Sequence, residues 1–248
     1  MYEFCTNIFL SVAGGFYIIL FYLPIYFQAV KGASAVSSGI RLLPLILSMT
    51  LSQIAIGVTI TVTGIWNSFQ LMGAALLTIG SGLLFTLKVD SSAGHWIGYQ
   101  IIAGIGLGTG FNVPIIVTQR IVKASDVSTA TAVVLFFQSL GGALIVAAGQ
   151  SIFQNELIAK LGQTNPEISP LNVASADATS LRHLFDDQQL EGIKEAYVYG
   201  ISMSYALSIT VAAVGALFAL VPKFGRLPAG GDTITAPVEK IESPVEEK

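Results

Sequence analysis

Three amides, a handful of aromatic rings and a run of glycines are the residues here whose types could do chemistry. Gln53, Asn112 and Gln138 fall inside long stretches without charge, and Tyr17, Tyr22, Phe111, Phe136 and Phe137 fall in the same stretches. Amides make directed hydrogen bonds and rings offer broad apolar contact, a mix that suits a cavity for bulky, mostly apolar ligands. The same amides can instead bond from helix to helix, worth about 0.6 kcal/mol each on average in a membrane bundle. Both readings stand for each residue. The candidates for a substrate cavity are Gln138, Asn112, Gln53, Tyr22 and Phe111, with Gln138 and Asn112 foremost.

The glycines lie in "IIAGIGLGTGFNVP", at Gly104, Gly106, Gly108 and Gly110. A dinucleotide fingerprint needs G-x-G-x-x-G, and the third position is Thr109 or Phe111 instead. No Gly-Lys-Ser/Thr occurs, so a phosphate loop is excluded as well. What fits is G-x-x-x-G, twice: Gly104 with Gly108 and Gly106 with Gly110. On a helix each pair clears a groove for a close neighbour, so these four are read as helix-packing residues.

Ionisable chemistry is scarce at the same depth. Arg41, Lys88, His95, Arg120 and Asp126 all fall at the edges of the uncharged stretches. A proton-coupled carrier needs a group that takes up and releases a proton, and none falls inside these stretches. An intramembrane enzyme would need paired acids, a Ser-His pair or H-E-x-x-H at depth, and none occurs. His95 and His183 have no ligand partner at helical spacing, Asp186-Asp187 reads as a solvated face, and the one cysteine, Cys5, allows no disulfide within the chain. No metal or cofactor is implied. Nor does any basic patch point to nucleic acid.

The elements that position these residues follow from the charge pattern. Of 248 residues 53% are hydrophobic and 11% charged, against about 25% charged in a soluble domain. Lipid as solvent explains the difference. Uncharged runs cover Phe4–Val30, Leu42–Leu87, Trp96–Gln119, Val127–Asn155 and Ala196–Pro222. A span needs about 20 residues. The second run, 46 residues, would make a helix of about 69 Å. It must turn, and Thr63-Gly64-Ile65-Trp66-Asn67-Ser68 is the place, with Trp66 suited to a membrane interface. Six spans result, at about 8–30, 40–62, 68–87, 97–118, 128–150 and 198–221. With no water to satisfy the backbone, each must be a helix. The first is expected to stay as an anchor rather than be cleaved as a leader.

The expected fold is thus an all-α polytopic bundle over 1–222. Residues 151–197 form a long loop holding a short amphipathic helix with Leu181, Leu184, Phe185, Leu190 and Ile193 on one face. Residues 223–248, rich in Pro, Gly and Glu, form a disordered tail. An internal repeat adds to this. "FYLPIYFQAVKGASAVSSG" and "FNVPIIVTQRIVKASDVSTA" pair Pro24 with Pro114, Gln28 with Gln119, Lys31 with Lys123 and Ala33-Ser34 with Ala124-Ser125. Three spans per copy makes a 3+3 inverted repeat, the logic of secondary transporters.

"FYLPIYFQAVKGASAVSSGIRLLP", "GYQIIAGIGLGTGFNVPIIVTQ", "FFQSLGGALIVAAGQSIF" and "LRHLF…GIKEAY" together resemble the major facilitator superfamily. More narrowly they resemble its fourteen-spanning drug:proton antiporters, above all fungal toxin and multidrug efflux members. The resemblance covers the chain up to the tail and matches only the carboxy-terminal six-helix half. It implies cytoplasmic termini, an external 151–197 loop and a cytoplasmic tail. It also implies a plasma-membrane carrier that exports small hydrophobic organic compounds by proton antiport, together with a missing amino-terminal half. The family's cytoplasmic-loop signature has a degenerate counterpart in Gly57, Thr61 and Gly64, where Thr61 stands for the acid. Alternatives to an active carrier are a truncated fragment with no transport of its own and a membrane scaffold or channel.

Overall fold

A computed structural model describes residues 2–168, 173 and 185–220, with side chains described from residue 13 onward except at 187 and 188. His183, Leu181, Leu184 and the expected tail lie outside the described residues. Among the described residues there are helices and no strand. These are α1 (Tyr2–Ile25), continued by a π-helical turn (Tyr26–Val30), α2 (Ala35–Arg41), α3 (Leu43–Thr63), α4 (Asn67–Phe85), α5 (Ala93–Phe111), α6 (Val113–Ile121), α7 (Val127–Thr164) and α8 (Asp187–Ala219). They make six rods long and apolar enough to cross a membrane.

Each break has a local cause. Gly64 ends α3 in the left-handed region, φ 70°, which costs glycine little. Its N–H donates to the Ile60 carbonyl at 2.9 Å. The turn thus falls in the expected 63–68 segment, and Trp66 is buried there with Ile60, Val113 and Val117. Pro24 sits near the end of α1, and the helix widens into its π-turn directly after it. Pro114 cannot donate to the carbonyl four residues back, and the fourth rod steps at Asn112 between α5 and α6. Elsewhere threonines tuck their hydroxyls back onto the helix. Thr50, Thr59, Thr61, Thr63, Thr78 and Thr109 each donate to the carbonyl four residues earlier, at 2.7–2.8 Å.

Two rods overrun their expected ends. Residues 151–164, expected in the loop, continue α7, and residues 187–197 begin α8. At 38 residues α7 is about 57 Å long, well beyond a hydrocarbon core of about 30 Å. Along these extensions the two helices bury apolar side chains together. Leu157 and Leu161 of α7 join Leu190 and Ile193 of α8 in the main core. Leu190 and Ile193 therefore belong to a long helix, not to a separate surface helix. Asp186 opens α8 with a capping box, its carboxylate and the Gln189 amide each meeting the other's backbone N–H.

α5 packs between α3 and α4, while α8 packs against α1, α4 and α7. At the end holding the α4–α5 turn, Lys31 fixes the bundle. Its ammonium donates to the carbonyls of Val89 and Ser91, both at 2.7 Å, and the Tyr26 hydroxyl donates to Lys88 O at 2.8 Å. Burial holds the Lys31 ammonium below the usual lysine range, while Asp90 pulls the other way. On the outside, α3 turns Leu43, Leu47, Leu51, Ile54, Val58 and Val62 outward. Such a stripe is suited to lipid or to another bundle, not to water.

Candidate functional site

The four expected packing glycines divide between two neighbours. Gly104 and Gly108 face α3: a Cβ at Gly104 would lie 2.6 Å from Leu45 O, and one at Gly108 would meet Met49 O. Gly106 faces α4, where a Cβ would meet Leu77 N, and Gly110 closes on Gly73, whose added Cβ would lie 2.7 Å from Gly110 N. A side chain on either face would separate helices now in backbone contact.

That seam delivers the candidate residues to the lower bundle. Gln53 is half-buried on α3, its backbone N 3.0 Å from where a Gly108 Cβ would stand. Phe111 and Asn112, also half-buried, follow one turn later at the step between α5 and α6. Phe111 makes an edge contact with Phe16, ring centroids 5.2 Å apart, and Phe16 makes another with Tyr17, also 5.2 Å. The Tyr17 ring lies against Gly142 of α7. Beside it runs an open groove of about 350 Å³ between α1 and α7, lined by Tyr17, Leu20, Phe21, Ser139, Gly142 and Val146. Gln138, 5% exposed, is next to Ser139 and one turn from Gly142.

The other rings lie elsewhere. Tyr22 is fully enclosed, its hydroxyl donating to Gln150 Oε1 at 3.2 Å. Its ring packs near Phe153, centroids 5.5 Å apart. Phe136 and Phe137 are exposed on the outer face of α7 rather than gathered at the groove. The sequence reading passed over Phe16, the ring that joins Tyr17 to Phe111. It also passed over Gln70 and Gln100, whose amides are buried without hydrogen-bond partners among the described residues. Gln70 sits in the uncharged run of Gln53 and Gln100 in that of Asn112, so the signal was present, but their sealing depends on neighbours.

Rods of this length, an outward apolar stripe and a mostly apolar groove define an integral membrane helix bundle. The model of the Major Facilitator Superfamily matches residues 3–146, more than half of the chain, and the chain belongs to that superfamily. Similar proteins carry efflux names. Efflux pump bfoC of Aspergillus brasiliensis is 41% identical over 221 residues, 89% of this chain and 38% of that protein. Efflux pump roqT of Penicillium rubens is 38% identical over 208 residues, 84% of this chain and 39% of that one. MFS-type efflux pump MFS1 of Trichophyton rubrum is 39% identical over 207 residues, again 84% and 39%. The chain spans about two fifths of the length of these curated relatives.

Proposed function

We propose that this chain is the carboxy-terminal six-helix half of a carrier that exports small, mostly apolar organic compounds across the plasma membrane by proton antiport. The observation that carries the reading is superfamily membership joined to about 40% identity with proteins named efflux pumps, over two fifths of their length. A single bundle cannot alternate access, because that motion rocks one bundle against another. The outward stripe on α3 supports a second bundle as partner. A 3+3 inverted repeat draws support from the two paired prolines, since a helix irregularity adjoins Pro24 and another adjoins Pro114. The substrate would bear on the Tyr17 groove, with Gln138, Asn112 and Gln53 supplying polar contacts. The proton-carrying carboxylate would come from the other half.

The test is efflux of a lipophilic dye from intact cells. The chain alone should give background efflux. Joined to the amino-terminal portion of a relative, it should extrude dye, and a protonophore should stop it. Extrusion by the chain alone would refute the half-carrier reading, and protonophore-insensitive extrusion would refute the coupling. In the joined protein Gln138→Ala should change dye preference more than expression. A loss of expression alone would make Gln138 a packing residue.

A further inference from the structure

A second groove, of about 450 Å³, lies at the end of the bundle that holds the α4–α5 turn. Lys160 on its wall is fourteen residues along α7 from Val146 of the first groove, about 21 Å of helix. Its walls grade in one direction. On α8 they run from Glu195 through Tyr199 to Met203, and at the end of α4 from Asp90 and Lys88 back to Phe85. The charged ends lie together toward the outer end of the bundle, and the apolar ends lie together deeper along the rods. The Lys160 ammonium lies 5.9 Å from the Tyr199 ring centre, a partly amphipathic platform of the kind found at lipid headgroup level.

The charges are two of each sign, Lys88 and Lys160 against Asp90 and Glu195. An anion alone would leave the carboxylates opposed, and a cation alone would leave the lysines so. A small soluble zwitterion would leave the apolar half uncovered. We propose that this groove holds one membrane phospholipid with a zwitterionic amine headgroup. Its phosphate meets Lys88 and Lys160, its ammonium faces Asp90 and Glu195, and an acyl chain lies along Phe85 and Met203.

The experiment is native mass spectrometry of the detergent-purified chain, titrated with phosphatidylethanolamine or phosphatidylglycerol. One phosphatidylethanolamine should stay bound, in preference to phosphatidylglycerol. Removing both lysines (Lys88→Ala with Lys160→Ala) should weaken retention by about tenfold or more, since both charge-assisted contacts to the phosphate are lost. Lys123→Ala, at the opposite end of the bundle, should leave retention unchanged. Removing the negative charges (Asp90→Asn with Glu195→Gln) should turn the preference toward phosphatidylglycerol. That switch is a gain of binding and cannot come from misfolding, so it decides the matter even if the lysine variant is unstable. Equal binding of both lipids by the parent chain, undiminished retention in the lysine variant, or no switch in the neutralised variant would each overturn the proposal.

Discussion

Glycines serve the two flanks of this bundle in different ways. In the flank of α3, α4 and α5 they meet backbone. Gly106 faces Leu77 N, Gly108 faces Met49 O, and a Cβ at Gly80 would lie 2.5 Å from Ala103 Cα. In the flank of α1, α7 and α8 they meet side chains. Gly142 faces the Tyr17 ring, a Cβ at Gly149 would make an ordinary 3.4 Å contact with the Tyr22 ring, and one at Gly200 would lie 3.0 Å from both the Phe153 ring and its carbonyl, the one backbone contact among these three. A backbone pressed against a backbone has nowhere to go, whereas a ring can turn about its χ angles. The first flank is therefore a rigid seam. The second leaves a groove beside Tyr17 and is the flank that can yield to a ligand.

The largest effect should come from placing a side chain in the seam. Gly106→Ala sets a Cβ against the Leu77 backbone, and overpacking of a close-fitted core costs about 3 kcal/mol at the upper end of its usual range. The thermal unfolding midpoint in detergent should fall steeply, with loss of monodisperse protein. A midpoint unchanged from the parent chain would mean that the seam is as soft as the other flank, and the contrast would fail.

Gly142→Ala should cost less, about 1 kcal/mol, because the Tyr17 ring can swing into the adjoining groove. The informative readout is the difference from Gly106→Ala: equal losses would place a rigid contact on both sides. Tyr22→Phe ranks third. It removes the bond to Gln150 and leaves Gln150 Oε1 one partner short. Polar contacts in membrane bundles average about 0.6 kcal/mol, so the midpoint should drop slightly and helix content should hold. A collapse as large as that of Gly106→Ala would show that the Tyr22 hydroxyl, not ring packing, holds the α1–α7 flank.

The helical spans were legible because lipid excludes charge, so an uncharged run marks where a rod must cross. Legibility stopped where the lipid stops. Glu156 and Lys160 look like the start of a loop, yet Leu157 and Leu161 between and beyond them keep the helical spacing, and their burial against α8 carries α7 onward to Thr164. The site was legible by residue type and not by direction. Tyr17 and Tyr22 are five residues apart, about 140° around a helix, so one edges the groove and the other enters the core. Gln70 and Gln53 differ likewise. Gln70 is sealed and Gln53 half-buried, and nothing in either residue's own surroundings in sequence tells which face a neighbouring helix will cover.

The smallest effect is expected at Gly57, and it tests the comparison from outside. A Cβ there meets nothing within 4 Å, on the helix that turns Ile54 and Val58 outward. In this chain Gly57→Ala should be neutral or slightly stabilising, since no neighbour is displaced and alanine favours a helix over glycine. If a second bundle covers α3 in a complete carrier, the same methyl would sit in the joint between moving halves. Dye efflux by the joined protein should then fall while the isolated chain keeps its unfolding midpoint. A variant harmless in both settings would make the α3 stripe a lipid-facing surface and put the partner bundle elsewhere. A variant that destabilises the isolated chain would mean that α3 already has a neighbour at Gly57, and the open side of the seam would be misplaced.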